Sequence, residues 1–159
     1  MIPVRYLDVL RRIYGKLRDR RIDWAVTGSL SLALQGVPVE IHDIDIMTDK
    51  TGAYDIENLF PEFVSENVRY SSTERIRSHF GALIIDEIRV EIMGDIQIRL
   101  KDGTWEDPAD LKLLKKVVQI EEMQLPVIRL DREYQAYLKL GRPEKAEVVR
   151  KWLSSHGEM

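Results

Sequence analysis

The sequence has 159 residues, of which 44% are hydrophobic and 32% are charged, and its formal net charge is −3. This is the composition of a folded globular chain, and the charge provides no overall attraction to nucleic acid. The absence of cysteine excludes disulfides, thiolate zinc sites and cysteine nucleophiles. The charged N-terminal segment lacks the apolar core of a signal peptide. The sequence therefore predicts one cytoplasmic domain over residues 1–159 that contacts no membrane.

Apolar residues recur at helical spacing in some segments and alternate with polar residues in others, which predicts a mixture of helices and strands. The first half of the chain predicts helices over 3–20, 30–34 and 52–60 and strands over 23–27 and 41–47. The second half predicts sheet over 68–93 with a hairpin around Asp86-Glu87, a loop or insertion over 94–115, strands over 117–120 and 127–130, and helices over 131–140 and 143–153. Asp131 is the expected N-cap of the first of these two helices, and Val148, Val149 and Trp152 are the expected buried side of the second. The fold class is therefore α/β or α+β.

The segment with the clearest bearing on function begins with Gly28-Ser29 and continues, after 13 further residues, with Asp43-Ile44-Asp45-Ile46. Residues two apart on a strand point to the same face, so Asp43 and Asp45 would project side by side. Such close carboxylates repel each other, and a hard divalent cation relieves the repulsion. A strand that ends in Gly-Ser and opens a helix suits a phosphate. For the Asp-x-Asp pair alone, the exposed polar face of an edge strand stays an alternative.

A third carboxylate is expected from a neighbouring strand if two metal ions are to be held. Glu91 is the best candidate, because it alternates with Ile88, Val90 and Ile92 and so lies on the polar face of a buried strand. The competing acidic residues near either strand are Glu40, Asp49, Glu87 and Asp95. His42 is expected to point away from the aspartate pair as a structural or surface histidine.

These motifs, in this order, resemble the minimal nucleotidyltransferases of the DNA polymerase beta superfamily over about residues 22–95. The residues that carry the resemblance are Gly28-Ser29, Asp43-Ile44-Asp45 and Val90-Glu91-Ile92. The tail, about residues 131–155, is similar to the helical tail of small toxin-related or uncharacterised members. Its matching residues are Lys139, Arg142-Pro143 and Glu144-Lys145.

The resemblance implies a nucleotidyltransferase fold, in which a mixed β-sheet is backed by helices and followed by a C-terminal helical tail. It implies a nucleoside triphosphate whose phosphates meet Gly28 and Ser29 and are within reach of Lys139. It also implies Mg²⁺ or Mn²⁺ bound by Asp43, Asp45 and Glu91. The reaction would transfer a nucleoside monophosphate to an acceptor hydroxyl on a small molecule, an RNA or a protein.

The chain also departs from this family pattern. Related small members often carry Arg and Thr four and two residues before the first aspartate, where this chain has Val39 and Ile41. The Lys-Asp pair of the tail reads Lys145-Ala146. The loss of these polar groups leaves open a non-catalytic nucleotide-binding or toxin–antitoxin component on the same fold. A nucleic-acid-binding module that uses the basic first helix, through Arg11, Arg12 and Lys16, is a third possibility.

Overall fold

The computed structural model describes residues 2–157. Its strands are β1 (Trp24–Thr27), β2 (Ile44–Thr48), β3 (Val64–Ser72), β4 (Ile76–Ile85), β5 (Ile88–Ile98), β6 (Lys115–Ile120) and β7 (Met123–Ile128). Its helices are α1 (Val4–Leu17), α2 (Gly28–Leu34), α3 (Lys50–Leu59), α4 (Leu111–Leu114), α5 (Leu130–Lys139) and α6 (Pro143–Ser155), with a 3₁₀ turn at Pro61–Phe63.

The strands form one mixed sheet in the order β3-β4-β5-β2-β1-β7-β6. The β2–β5 and β1–β7 pairs are parallel, and the other neighbouring pairs are antiparallel. This arrangement is the mixed sheet backed by helices that the family resemblance implies, and it confirms the α/β or α+β class. The hairpin between β4 and β5 turns at Asp86 and Glu87 as expected, with both residues at positive φ.

The main core lies between one face of the sheet and helices α1 and α3. The α1 residues that enter it are Val9, Leu10, Ile13 and Leu17, which recur at helical spacing. A second cluster joins α2 to α5 and α6 through residues such as Leu32, Leu130 and Val149. The tail helices are therefore fastened to α2. Within residues 2–157, no helix is both long and apolar enough to cross a membrane.

The start of β2 differs from the sequence prediction. The strand begins at Ile44 rather than at Ile41. The backbone of His42 forms hydrogen bonds outside the sheet: its carbonyl accepts from the Tyr6 hydroxyl at 2.5 Å, and its N–H donates to Ser29 Oγ at 3.2 Å. These bonds attach the segment before β2 to α1 and to the start of α2.

The C-terminal half also differs in its boundaries. The strand expected over 127–130 is β7, which ends at Ile128, because Leu130 already belongs to α5 and packs in the helical cluster. Arg129 occupies the N-cap of α5, so the expectation for Asp131 is wrong; Asp131 lies in the first turn. In α6, Val148 is 40% exposed, and the buried residues are Ala146, Val149 and Leu153.

Candidate active site

The turn between β1 and α2 brings backbone against the carboxylate of Asp45. Thr27, the last residue of β1, pairs with Asp45 across the antiparallel β1–β2 ladder. Gly28 follows with φ +72°, and a Cβ added there would overlap Asp45 Oδ2. Only glycine combines this backbone conformation with such a close approach. The Ser29 hydroxyl accepts the hydrogen bond from His42 and lines the same cleft.

Asp45 and Glu91 are direct partners in the parallel β2–β5 ladder. Neighbouring strands lie about 4.8 Å apart, so the two carboxylates project next to each other from one face of the sheet. The residues that flank them, including Ile44, Ile46 and Val90, are fully buried on the opposite face. Asp43 lies just before β2 and lines the same cleft. Strand alternation therefore brings Asp45 and Glu91 together, and Asp43 joins them in the cleft from the segment before β2.

The pKa of Asp45 is raised to about 7, first by burial and then by the neighbouring carboxylates of Glu91 and Asp43. The ammonium of Lys145 opposes this rise. Glu91 has a cationic neighbour of its own, because Arg89 Nε donates to Glu91 Oε2 at 2.8 Å. The site thus concentrates negative charge that a bound cation would relieve.

The carboxylates open into a cleft of about 510 Å³ between the sheet and the tail helices. Gly28 and Ser29 line one end of it, and the tail contributes Arg142 and Lys145. These two side chains add positive charge to the cleft that the carboxylates line.

Glu133 connects the tail to the Gly-Ser turn. Its side chain is 3% exposed, and its Oε1 accepts from Thr27 Oγ1 at 2.6 Å and from the Gly28 N–H at 3.2 Å. Burial is the largest influence on this carboxyl and raises its pKa to about 7. One helical turn later, Tyr137 has a raised pKa, first because of burial and then because of the Glu133 charge. The turn is therefore held from α5.

The family whose description is aminoglycoside-2''-adenylyltransferase matches residues 9–151, most of the chain. The chain belongs to this family. A crystal structure from Thermotoga maritima, provisionally named a nucleotidyltransferase, is 64% identical, with a TM-score of 0.86 over 98% of this chain and 96% of that one. No curated protein matches the chain.

Two distant structures share the fold. The lincomycin-bound lincosamide antibiotic adenylyltransferase LnuA is 10% identical, with a TM-score of 0.60 over 94% of this chain and 97% of that one. ANT(2'')-Ia in complex with adenylyl-2''-tobramycin is 9% identical, with a TM-score of 0.62 over 97% of this chain and 92% of that one. At these identities the likeness concerns the fold.

Of the site residues proposed from the sequence, all but Lys139 line the cleft. The structure brings Gly28, Ser29, Asp43, Asp45 and Glu91 into one cleft. Lys139 lies outside that cleft, where its Nζ pairs with Glu106 Oε2 at 2.7 Å. The competing carboxylates are elsewhere; Asp49, for example, caps α3 by accepting from Gly52 N–H at 2.7 Å. His42 is exposed at the rim of the cleft.

Sequence reasoning missed the contributions of Glu133, Tyr137, Arg142 and Lys145. A signal for Glu133 was present, because it lies at helical spacing between the buried residues Leu130 and Tyr137. An acidic residue on the apolar side of a helix requires a buried partner. The sequence indicated Lys145 only as the lysine of the Lys-Asp pair expected in the tail. No local pattern favoured it over Lys139 as a residue of the cleft.

The three positions that depart from the expected family pattern have a packing role. Ile41 packs against the main core, and Val39 packs against the cluster of α2, α5 and α6. Ala146, the other departure, is 1% exposed inside that cluster. These positions therefore contribute apolar contacts to the two clusters.

The donor set suits a hard divalent cation, because carboxylate oxygens are the ligands that Mg²⁺ and Mn²⁺ prefer. The pKa of Asp45 is raised, and its carboxylate lies close against the backbone of Gly28. A bound cation would stabilise the ionised form of this carboxylate. No three His, Cys, Asp or Glu side chains among residues 2–157 already surround one point as metal ligands do.

The basic first helix is largely neutralised by acidic partners. Arg11 forms ion pairs with Asp8, Glu121 and Glu122 at 3.1, 2.7 and 2.6 Å. Arg12 lies 3.6 Å from Asp86. Nucleic-acid binding by this helix would require these pairs to be broken, which does not favour that alternative.

Proposed function

We propose that the protein is a divalent-metal-dependent nucleotidyltransferase that transfers a nucleoside monophosphate from a nucleoside triphosphate to a hydroxyl of a small-molecule acceptor. The observation that carries the proposal is the convergence of the three carboxylates with the Gly-Ser turn in one cleft. A structural role alone does not account for it, because like charges at this spacing raise the free energy of the folded state.

The phosphates of the triphosphate would lie against Gly28 and Ser29. Gly28 offers backbone without a side chain, and the Ser29 hydroxyl supplies a hydrogen bond. Lys145 is the lysine in position to neutralise phosphate charge, in place of Lys139. Glu133 already accepts from the Gly28 N–H, so its role is to hold the turn in place rather than to bind phosphate.

Asp43, Asp45 and Glu91 would hold Mg²⁺ or Mn²⁺. When bound, such an ion neutralises phosphate charge and lowers the pKa of the acceptor hydroxyl. The acceptor oxygen attacks the α-phosphorus as the bond from that phosphorus to the α–β bridging oxygen breaks, and pyrophosphate leaves in line with the attack. Glu91 is the candidate for accepting the hydroxyl proton, and the hydrogen bond from Arg89 Nε orients its carboxylate.

The choice of a small acceptor and of an adenine nucleotide is supported by the family and by its distant structural neighbours. LnuA is described as a lincosamide antibiotic adenylyltransferase, and ANT(2'')-Ia has been crystallised with adenylyl-2''-tobramycin. The cleft of this chain has the volume of a small-molecule site rather than that of an extended groove.

The test first measures ATP binding by calorimetry in the presence of Mg²⁺. It then measures the release of AMP and pyrophosphate, which are the products when water takes the place of the acceptor. The variants are Ser29→Ala and the double change Asp43→Asn, Asp45→Asn; the control is Asp102→Asn in an exposed turn. We expect Mg²⁺-dependent turnover that the double change abolishes and the control retains. Binding without any pyrophosphate release would support the non-catalytic alternative, and equal ATP binding by all variants would contradict the proposed site.

A further inference from the structure

The cleft continues beyond Glu91, over β5, β4 and β3 and beneath α5; this part is called the distal arm. Its lining residues include Ser71, Ser78, Phe80, Met93, Ile98 and Leu140. In the sheet, β1 with the Gly-Ser turn lies on one side of β2, and β5, β4 and β3 lie on the other. In-line displacement places the attacking hydroxyl and the leaving pyrophosphate on opposite sides of the α-phosphorus. If the phosphates lie against Gly28 and Ser29, the distal arm lies on the side from which the acceptor hydroxyl would attack.

The walls of the distal arm are mainly apolar. Phe80, Met93, Ile96 and Ile98 project from the sheet, and Leu140 faces them from α5. All five are partly exposed, so they offer apolar surface inside a concave space instead of closing into the core. A ligand with an apolar face would gain binding free energy here by removing this surface from water.

The polar groups of the distal arm are uncharged hydroxyls. Ser71 and Ser78 are direct partners on β3 and β4. Ser78 is 3% exposed as a residue, and it lines the cleft together with Ser71. A serine hydroxyl that lines a cleft can form a hydrogen bond with a ligand there, as donor or as acceptor.

The charged side chains at the mouth of the distal arm are positive, so they would repel a cationic ligand. None of the lining residues beyond Glu91 is acidic. Arg142 lines the cleft where α5 ends, and Arg75 packs at the same place, with its Nη1 3.2 Å from the position of a Cβ on Gly141. Along the arm a polycationic acceptor would meet two guanidinium groups; the carboxylates lie only at its inner end, where the proposed divalent cation would offset their charge.

We propose that the distal arm binds an uncharged, hydroxyl-bearing acceptor with an apolar face, such as a glycoside with a hydrocarbon substituent, and that it excludes polycationic aminoglycosides. This inference rests on the proposed function for the identity of the reaction, and it departs from the substrate that the family description indicates. Ser71 and Ser78 hydrogen-bond the ligand, the apolar walls cover its hydrocarbon part, and Arg75 and Arg142 select against positive charge.

The test uses hexyl β-glucoside, glucose and tobramycin as probes, titrated by calorimetry into the protein with and without Mg²⁺ and α,β-methylene-ATP. Burial of two methylene groups improves affinity roughly tenfold, so we expect hexyl glucoside to bind at least about tenfold more tightly than glucose. We expect it to bind together with the nucleotide analogue, and we expect tobramycin neither to bind the arm nor to displace it.

The matched variants are Ile98→Asp in the arm and Val117→Asp on β6, where Val117 is 60% exposed and far from the cleft in the sheet order. Ile98→Asp should weaken hexyl glucoside about tenfold or more and leave the nucleotide analogue unaffected, and Val117→Asp should change neither. If circular dichroism shows that Ile98→Asp does not fold, Leu140→Asp tests the opposite wall.

Three results would overturn the inference: tobramycin that binds as tightly as hexyl glucoside, hexyl glucoside that binds no more tightly than glucose, or competition between hexyl glucoside and the nucleotide analogue. Competition would place the nucleobase in the arm. A protein that binds hexyl glucoside in the arm but never binds the nucleotide analogue would instead contradict the proposed function, so the two failures are distinguishable.

Discussion

Glu133→Gln tests whether a buried carboxylate holds the Gly-Ser turn from the tail. The substitution keeps an oxygen that can accept the hydrogen bonds from Thr27 and Gly28, and it replaces the ionisable carboxyl with a neutral amide. We expect the variant to be more stable than the wild type at pH 8 and to lose that advantage at pH 5. The reason is that the wild type must bury an ionised carboxylate at the higher pH.

The magnitude follows from the shift of the carboxyl in the folded state. The pKa of Glu133 rises from 4.5 to about 7, so the folded protein binds this proton more tightly than the unfolded chain. Its favourable contribution is complete below about pH 4.5 and is lost as the pH rises through 7. The loss at pH 8 is about 3 kcal/mol, which for a chain of this length corresponds to a Tm change of roughly 6–12 °C.

The assay is urea denaturation of both proteins without metal at pH 5, 6, 7 and 8. Asp45 also titrates near pH 7, so the difference between wild type and variant isolates the Glu133 contribution. Glu144→Gln, at an exposed position in the first turn of α6, is the matched control and should give no pH-dependent difference. Parallel curves for wild type and Glu133→Gln across this pH range would refute the reasoning.

Further predictions concern the phosphate turn, the carboxylates and the tail. Gly28→Ala should lower the free energy of unfolding by 1 kcal/mol or more and weaken ATP binding, because the added methyl meets the Asp45 carboxylate; calorimetry that shows wild-type affinity would contradict the phosphate role. The double change Asp43→Asn, Asp45→Asn should preserve or raise the metal-free Tm and abolish the Mg²⁺-induced rise, which in the wild type is worth about 2.7 kcal/mol at a hundredfold excess over the Kd. Equal Mg²⁺-induced shifts in thermal melts of the two proteins would remove the metal site. Lys145→Gln should weaken ATP binding about tenfold while Lys139→Gln leaves it unchanged, since only Lys145 lines the cleft. The reverse order of effects would restore Lys139 as the phosphate ligand.

The fold could be predicted from the sequence where local pattern and tertiary packing agree. The alternation around Asp45 and Glu91 specifies strands with one buried face, and the apolar spacing of α1 specifies a helix on that face. Boundaries were less predictable wherever distant contacts decide them. The segment before β2 leaves the sheet because Tyr6 and Ser29 take its hydrogen bonds, and neither residue is near His42 in sequence.

The candidate site could be predicted where it depends on strand alternation, and not where it depends on how the tail packs. Asp45 and Glu91 follow from the alternation of two strands, whereas Asp43 lines the cleft from just before β2. The choice between Lys139 and Lys145 depends on the rotation of α6 against α2, which buries Ala146 and leaves Lys145 at the cleft. Both lysines are exposed residues of the tail, so no local pattern distinguishes them.

The most direct test of the account is a crystal structure of the protein with Mg²⁺ and α,β-methylene-ATP. The account predicts a cation in contact with Asp43 and Asp45, and phosphate oxygens against Gly28 and Ser29. A triphosphate bound elsewhere, or bound at this cleft with no cation touching the carboxylates, would contradict it.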